Sequence, residues 1–324
     1  MADASLTAED QQANPNLRAA ILVTGAHRTG TTWVGKMLAA SGEAAYISEP
    51  LNHLHRPGVL RVPTRHWYQY ICPQNEAEYL PALRETLRFQ YHPWLELLSL
   101  RSAKDVGRMG RDWRIFLHGR LRRQRPLLKD PFAIFSIPWF VSRLGCQVVV
   151  TVRHPAAFAS SLKRLDWPFD FSDLLAQPLL MQDWLEPYRA EMTSLQNAAQ
   201  PDILAQGSLL WKMVYQVVAK ITGADRPVII VRHEDLSLDP AAGFRQLYQA
   251  LGLAFTPQAE ETIRTSSSSE NPGELSKKAV HSTRLDSAAN LHNWKRRLSA
   301  EEIRQVRALT EETAAIYYPE LDWD

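Results

Sequence analysis

Residues 18–38 read RAAILVTGAHRTGTTWVGKML, and they carry the clearest indication of the fold. An apolar run ends at Gly25, a short loop follows, and helical spacing begins at Thr31. Residues 25–32 match the phosphate-loop pattern G-x-x-x-x-G-K followed by Ser or Thr, except that Thr31 stands in the lysine position. Such a loop offers successive backbone N–H donors and the positive end of a helix dipole to a phosphate. The stretch therefore predicts a strand, an anion-binding loop and a helix.

Four further apolar runs predict the remaining strands of a sheet. They lie at residues 44–47, 125–128, 147–152 and 227–231, and each is followed by a polar or Pro-containing loop and then helical periodicity. Strands that alternate with helices favour a parallel sheet covered on both faces. We therefore predict one α/β domain over residues 18–324, a P-loop-like parallel sheet flanked by helices.

Residues 52–124 carry no strand signal, and helical spacing dominates segments such as residues 76–100. This pattern predicts a helical insertion over the sheet. A final amphipathic helix is expected from Ser299, its N-cap, to Tyr317. The Ser-rich residues 265–276 are expected to form a mobile loop, and whether residues 265–284 close over a ligand stays open.

The charge balance of the chain limits the kinds of partner that it can bind. Among 324 residues, 37 Lys and Arg stand against 35 Asp and Glu, a formal net charge of +2. This is too even for an obligate nucleic-acid protein, so the expected partner is a small molecule or a glycan, with no nucleic acid. The sequence leaves the oligomeric state open.

The ends and the cysteines of the chain bear on its location. Residues 1–17 are polar, and they predict a disordered tail rather than a secretory signal. No apolar stretch approaches the roughly 18 residues that a membrane span needs. The only two cysteines are Cys72 and Cys146, which makes a disulfide framework improbable and indicates a reducing compartment. We expect a cytoplasmic protein with no membrane span.

A second anion site is predicted where the strand at residues 147–152 ends. Arg153 follows this strand directly, Pro155 suits the first turn of a helix, and Ser161 lies within that helix. A guanidinium supplies paired N–H donors and the hydroxyl adds another, so Arg153 and Ser161 can hold one phosphate. The alternative is a surface arginine that pairs with Asp166 or another carboxylate.

With both motifs in view, residues 27–38 resemble the 5′-phosphosulfate loop of sulfotransferases that use 3′-phosphoadenosine 5′-phosphosulfate (PAPS). In that family a basic residue and Ser or Thr precede Gly-Thr-Thr, and the aromatic residue that follows stacks on adenine. The resemblance implies that PAPS is the cosubstrate, without a metal, and that Trp33 contacts its adenine. The loop contacts that it implies come from Arg28, Thr29, Gly30, Thr31 and Thr32.

Three later segments add to the resemblance. The family holds the 3′-phosphate with Arg-x-Pro and a Ser eight positions after the Arg, which here implies Arg153 and Ser161. Residues 228–240 are similar to the family's strand and YEDL segment, with His233 in place of the tyrosine. The stretch from His281 onward resembles the closing region, and it makes Arg284 a candidate for the 3′-phosphate.

The resemblance also suggests the catalytic base. The cytosolic branch places a histidine base in a Lys-Thr-His segment, whereas this chain reads Lys129-Asp130-Pro131 there. The branch that sulfates tyrosines uses a glutamate twenty-one residues after the loop arginine, and that count leads to Glu49. Residues 46–52, YISEPLN, also resemble the EPL segment of carbohydrate sulfotransferases. The closest branches are therefore the carbohydrate, tyrosylprotein-like and bacterial ones.

We expect Glu49 to accept the proton of the acceptor hydroxyl by in-line transfer chemistry. Its alternative role is structural, as a helix cap or an arginine partner, and His53 is then the next base. Arg28 is expected to neutralise charge on the leaving phosphate oxygen. Lys129 is expected to position the sulfuryl oxygens, or else to pair with Asp130 or a neighbour.

The acceptor is expected to be a small molecule or a carbohydrate with a free hydroxyl, bound on the side of the helical insertion. A basic and aromatic cluster there suits sugars or aromatic alcohols. Its members are Arg56, Arg61, Arg65, Trp67, Tyr68 and Tyr70. Residues 101–125 hold nine Lys or Arg against two Asp, which fits an anionic acceptor or, more often, a solvated helix face.

Two other functions stay open at this point. One is a P-loop nucleotide phosphotransferase or kinase that binds ATP with magnesium, against which Thr31 in the lysine position argues. The other is a catalytically silent nucleotide-binding protein that keeps the pocket without transfer. The direction of the Glu49 side chain separates the silent protein from the enzyme.

Overall fold

The structure is a computed structural model, and it describes residues 19–54, 56–222, 228–274, 283–320 and 323. Within these residues five parallel strands form one sheet in the order β2-β3-β1-β4-β5. The strands are β1 Ile21–Thr24, β2 Ala44–Ser48, β3 Arg125–Lys129, β4 Gln147–Val152 and β5 Val228–Arg232. The predicted P-loop-like α/β fold with a parallel sheet is confirmed.

The two central strands are short, apolar and almost completely buried. Every residue of β1 is buried, as is β4 after its first residue, which is typical of parallel strands covered on both faces. In the register, Ile21 lies opposite Leu127 of β3 and Gln147 of β4. This register places the ends of β1, β3 and β4 at one edge of the sheet.

Helices connect and cover the strands. Those before β4 are α1 Thr31–Leu38, α2 Glu76–Leu87, α3 Pro93–Ser99, α4 Ala103–Leu121 and α5 Ile137–Leu144. Between β4 and β5 lie α6 Pro155–Leu165, α7 Ser172–Leu175, α8 Pro178–Leu180, α9 Arg189–Gln196 and α10 Ile203–Thr222. After β5 follow α11 His233–Leu238, α12 Pro240–Leu251, α13 Pro257–Ser267, α14 Ser287–Asn290, α15 Asn293–Arg297 and α16 Ala300–Tyr317.

Side chains of β1 alternate between two hydrophobic cores. Ile21 and Val23 pack in the core that includes Phe244 of α12, whereas Leu22 belongs to the core that includes Trp211 of α10. Successive strand residues point to opposite faces of a sheet. Both faces of the sheet are therefore covered by helices, which leaves the carboxyl edge of the strands for a site.

The insertion at residues 52–124 is helical only in its second part. The helical part, which contains α2, α3 and α4, begins at Glu76. Residues 52–75 form turns and irregular chain in the described part. Pro57, Pro63 and Pro73 interrupt this first part, since proline removes a backbone donor and disfavours a helical residue before it. The prediction of a helical insertion is thus too broad by its first third.

The structure confirms the predicted last helix and corrects the start of the predicted loop before it. The last helix starts after Ser299, whose hydroxyl accepts the N–H of Glu302 while the Glu302 carboxylate accepts the N–H of Ser299. The predicted loop from residue 265 starts later, because α13 continues to Ser267. Residues 275–276 of that loop and the predicted tail at 1–17 lie outside the described residues. Of the described helices, none combines the length and apolar character that crossing a bilayer requires.

Candidate active site

The carboxyl edge of the sheet collects the predicted site residues. The glycine loop follows β1, Glu49 follows β2, Lys129 ends β3, Arg153 follows β4 and His233 follows β5. Open parallel sheets bind ligands at this edge because all strands end there. Residues that are far apart in the sequence are therefore brought together by the strand order alone.

The loop between β1 and α1 depends on its glycines. Gly25 and Gly30 have φ angles of 151° and 96°. A Cβ atom on Gly25 would lie 2.4 Å from the Thr151 hydroxyl oxygen, and one on Gly30 would lie 2.8 Å from Nδ1 of His233. Gly30 caps α1 without any side-chain hydrogen bond, so the first N–H groups of this helix face outward. The loop has the form of an anion cradle.

Thr29 serves the loop itself. It is fully buried, and its hydroxyl donates to the carbonyl of Ala26 at 2.6 Å and lies 2.8 Å from the hydroxyl of Thr151. Its side chain thus ties the loop to the sheet beneath it. The other four predicted loop residues line a cleft beside the loop.

This cleft, which we call the Arg153 cleft, encloses about 930 Å³, part of it open to solvent. Its lining comes from the loop, α1, α6, α11 and the C-terminal helices. The lining residues are Arg28, Gly30, Thr31, Thr32, Trp33, Arg153, Ser161, Arg164, His233, Ser237, Ser266, Glu274, Thr283, Leu285, Ser287, Asn290 and Arg297.

Cations converge on the Arg153 cleft. Nε of Arg28 donates to the Ser161 hydroxyl at 3.4 Å, and Arg153 donates to the carbonyl of Arg28 at 3.2 Å. Burial, followed by Arg153 and Arg164, lowers the pKa of Arg28 to about 10. Burial also lowers the pKa of Arg153, although Glu234 opposes this shift. Buried cations that weaken each other's protonation are stabilised by an anion between them.

Arg153 has an unused donor. It is 9% exposed, and its buried Nε has no hydrogen-bond partner among the described residues. An unpaired buried donor is costly, and phosphate oxygens are strong acceptors for it. The alternative partner, Asp166, does not pair with Arg153 in the described structure. These donors fit a phosphate-bearing ligand such as PAPS.

Two aromatic rings lie at the other end of the loop. Trp33 donates through Nε1 to the Ser266 hydroxyl at 3.2 Å, and its ring meets His233 edge-on at 5.6 Å between centroids. Burial, then Arg153, lowers the pKa of His233 well below its usual value, so its imidazole is neutral at neutral pH. Its buried Nδ1 has no partner in the described part of the chain. The histidine that replaces the family's tyrosine therefore remains at the cleft.

Two arginines in this cleft were missed by the sequence reasoning. Arg164 and Arg297 share the carboxylate of Glu274, at 3.5 and 2.7 Å. Arg164 lies three residues after Ser161 on α6, a spacing that shares one helix face and could have revealed it. Arg284 is exposed and is not among the described residues that line the cleft.

A second cleft, which we call the Glu49 cleft, encloses about 1060 Å³ and shares Thr32 with the Arg153 cleft. It lies between α1, the end of β2 and α4. Its lining residues are Thr32, Lys36, Tyr46, Ile47, Ser48, Glu49, Arg56, Val59, Arg111, Asp112, Ile115, Phe116 and Lys129. The predicted base and the predicted anion loop thus meet at one threonine.

Glu49 is held on two sides. Its backbone N–H donates to the carbonyl of Lys129 at 2.7 Å, and its φ of 50° turns the chain sharply. One carboxylate oxygen pairs with the ammonium of buried Lys129, and the other accepts from Asn52 at 2.7 Å. Burial would raise the pKa of Glu49, but Lys129, Asn52 and Arg56 outweigh it and lower the pKa. Glu49 is therefore a carboxylate at neutral pH, and its partner is Lys129.

Asp130 holds the turn that carries Glu49 through hydrogen bonds to backbone N–H groups. It is 1% exposed, and it accepts the N–H of Leu51 at 2.6 Å and that of Phe132 at 3.0 Å. Burial is the main cause that raises the pKa of Asp130 to about 7. Through Leu51 it joins the end of β3 to the turn that carries Glu49. The sequence reasoning treated it only as a partner for Lys129.

His53 lies apart from both clefts. It is exposed, and its ring is tilted against Trp67 with 5.9 Å between centroids. It lines neither cleft among the described residues. Its exposure matches a surface residue rather than a group held against a substrate.

The predicted basic and aromatic cluster is divided by the fold. Arg56 pairs with Asp112 at 2.6 Å and lines the Glu49 cleft. Tyr68 is buried, with its hydroxyl accepting the N–H of His27 at 3.2 Å. Arg61 pairs with a carboxylate away from either cleft, as does Arg65. The cluster does not form one pocket.

Comparison with known proteins adds a family to this geometry. The family model described as "Sulfotransferase family" matches residues 20–257. Over 80 residues the chain is 34% identical to carbohydrate sulfotransferase 5 of Mus musculus, covering 25% of this chain and 20% of that protein. Over 339 residues it is 20% identical to carbohydrate sulfotransferase 3 of Rattus norvegicus, covering 88% of this chain and 64% of that protein.

Both of these matches span less than two thirds of the relative's own length. Among solved structures, the sulfotransferase domain from the curacin biosynthetic pathway aligns with a TM-score of 0.45 and 14% identity. That alignment covers 90% of this chain and 98% of the domain.

Proposed function

This chain belongs to the sulfotransferase family, and on that premise we propose that it transfers a sulfuryl group from PAPS to a hydroxyl of a carbohydrate or another small acceptor. Similarity to carbohydrate sulfotransferases supports a carbohydrate over other hydroxyl compounds. Glu49 is the proposed general base. The two clefts that meet at Thr32 are the proposed places of donor and acceptor.

The observation that carries the proposal is the convergence of Arg28, Arg153 and Ser161 beside the glycine loop, with the buried Nε of Arg153 unpaired. A bisphosphate nucleotide presents anionic oxygens to two separate places. Arg153 and Ser161 would hold one phosphate, and the loop with the start of α1 would hold the other. Trp33 and His233 line the same cleft and offer ring surfaces to a base.

When bound, PAPS supplies the sulfuryl group on a 5′-phosphate leaving group. Glu49 is ionised and lines the neighbouring cleft, so it can accept the proton of an acceptor hydroxyl. Proton uptake by Glu49 removes its negative charge and leaves the Lys129 ammonium uncompensated. Positive charge would then appear beside Glu49 at the moment when negative charge develops on the reacting groups.

Thermal unfolding tests the proposed donor. We expect 3′-phosphoadenosine 5′-phosphate (PAP), the desulfonated product, to raise the melting temperature without magnesium, because a ligand at about 100 times its Kd adds about 2.7 kcal/mol to the free energy of unfolding. ATP with magnesium is the matched control. A rise with ATP and magnesium alone would replace the proposal with a P-loop phosphotransferase.

The transfer itself is tested with PAPS and a panel of mono- and oligosaccharides. Sulfate incorporation, followed by mass spectrometry, should require PAPS and should be lost in the Glu49→Gln variant. If PAP binds but no hydroxyl compound is sulfated by the wild type, a silent nucleotide-binding protein becomes the better description.

A further inference from the structure

The Glu49 cleft continues into a shallow groove along α4. The groove encloses about 500 Å³, is lined by Arg111, Arg114, Ile115 and His118, and shares Arg111 and Ile115 with the cleft. The cleft also shares Thr32 with the Arg153 cleft on its other side. We call the Glu49 cleft and the neighbouring groove together the acceptor path. A long acceptor could lie along it with one end at Glu49.

Positive charge exceeds negative charge along this path. Five cations line the Glu49 cleft and the groove, against two carboxylates, Glu49 and Asp112. Lys129 forms an ion pair with Glu49. Asp112 forms an ion pair with Arg56 at 2.6 Å and lies 3.4 Å from Arg111. The cations are Lys36, Arg56, Arg111, Arg114 and Lys129.

Lys36 and Arg114 have no carboxylate within 4.0 Å among the described residues. They come from different elements, α1 and α4, so the pattern of a single helix does not explain why both face one path. Partial burial lowers the pKa of Lys36, and the charges of Lys129 and Arg111 add to the shift. An anion between these cations would relieve their repulsion.

Resting on the proposed function, we propose that the acceptor is an anionic oligosaccharide. A carboxylate or sulfate ester close to the accepting hydroxyl would bind Lys36 and Arg111, and further anionic groups of the chain would follow Arg114 and His118. A neutral sugar would leave this excess positive charge without a partner. The path thus selects acceptors by charge next to the reacting hydroxyl.

Arg120 provides a matched control on the same helix. It is exposed on α4, like Arg111, but it lines neither the cleft nor the groove. If α4 were only a solvated basic face, the loss of Arg120 and the loss of Arg111 would weaken anion binding alike. If the acceptor lies along the path, the loss of Arg111 should weaken anion binding more than the loss of Arg120.

The experiment uses the full chain saturated with PAP, which occupies the Arg153 cleft. Calorimetric titration compares a dextran sulfate oligosaccharide with neutral dextran of the same length. We expect the sulfated probe to bind at least tenfold more tightly. We expect the double variant K36A/R111A to lose on the order of tenfold of that affinity, since exposed ion pairs contribute modestly, and R120A to lose less than twofold.

Each outcome decides one question. Equal binding of both dextrans, or equal losses in K36A/R111A and R120A, would overturn the anionic acceptor. The rise in melting temperature with PAP, measured on the same samples, tests the proposed donor independently of the acceptor. A retained rise in K36A/R111A also shows that this variant is folded and that its lost affinity comes from the acceptor path.

Discussion

The Arg153 cleft and the Glu49 cleft meet at Thr32 but balance their charges in different ways. Among the described residues, four arginines line the first cleft with one carboxylate, Glu274, and the buried Nε of Arg153 has no hydrogen-bond partner. In the second, the central Glu49 is already paired with Lys129. The first cleft therefore has an excess of positive charge that suits an anion, as the proposed function requires, whereas the second holds a carboxylate, the proposed base, that is already paired.

This difference in charge predicts that substitutions in one cleft change ligand affinity, whereas substitutions in the other change the turnover rate. Removing a cation from the Arg153 cleft should mainly change ligand affinity, because the ligand is its missing partner. Removing the carboxylate from the Glu49 cleft should mainly change the rate, because its charge is compensated before any ligand arrives. Single substitutions in each cleft test that division.

The Glu49→Gln variant should have the largest effect. Gln keeps the size of the side chain but cannot accept the proton, so we expect turnover to fall on the order of a hundredfold or more. PAP affinity should stay within about twofold, which calorimetry measures alongside single-turnover rates. His53→Ala is the control and should keep its rate, since His53 is exposed outside both clefts. An active Gln variant with an inactive His53→Ala would move the base to His53.

The Arg153→Ala variant should weaken PAP binding by about 1.5 to 3 kcal/mol, the range for hydrogen bonds to charged groups. Without PAP its melting temperature should fall less than it does with PAP, because the unpaired buried Nε offsets part of the hydrogen bond that Arg153 donates to the carbonyl of Arg28. Arg284→Ala is the matched control and should change PAP affinity less than about twofold. A larger loss from Arg284 than from Arg153 would reverse the assignment of the 3′-phosphate.

The Asp130→Asn variant tests the support under Glu49 through pH. Burial raises the folded pKa of Asp130 to about 7, above its unfolded value of about 4. The unfolded chain therefore releases this proton first, and wild-type stability should decline relative to the variant as pH rises from about 4 to 7. Urea unfolding at pH 5 and pH 8 should show a change on the order of 2 to 3 kcal/mol in the difference between wild type and variant. Parallel pH profiles would exclude Asp130 as a group with a raised pKa.

The Thr29→Val variant should have the smallest effect on the clefts. It removes two buried hydrogen bonds that tie the loop to Ala26 and Thr151, which should cost about 1 kcal/mol of the free energy of unfolding. PAP affinity should fall less than in Arg153→Ala, because the Thr29 side chain does not line the cleft. A larger loss of affinity in the valine variant would make its hydroxyl a direct ligand contact.

The sequence predicted those parts of the site that lie within one strand–loop–helix unit. The glycine loop, Arg153 with Ser161, and Glu49 at the end of β2 all lie where local patterns put them. Backbone geometry explains why these positions agree, because a strand end, a glycine turn and a helix start fix the direction of the chain over a few residues. Their roles in binding and transfer stay predictions.

Contacts between distant segments escaped prediction. Arg297 reaches the Arg153 cleft from α15, and Lys36 and Arg111 reach the Glu49 cleft from α1 and α4. The side chain of Thr29 is turned into the sheet. Arg284 lies between two residues that line the Arg153 cleft but does not line it, and His53 lines neither cleft among the described residues. No local pattern distinguishes a charged residue on a solvated face from one that faces a cleft, since both are exposed in part.

Short-range periodicity and turn chemistry were enough to predict the parallel α/β sheet, the glycine loop before α1 and the position of the carboxylate after β2 from the sequence. The tertiary structure was needed to show that Lys129 pairs with Glu49 rather than with Asp130, that Asp130 instead holds the Glu49 turn, and that the two clefts share Thr32. Those contacts depend on the order in which the strands pair, and strand order arises from the packing of the whole chain.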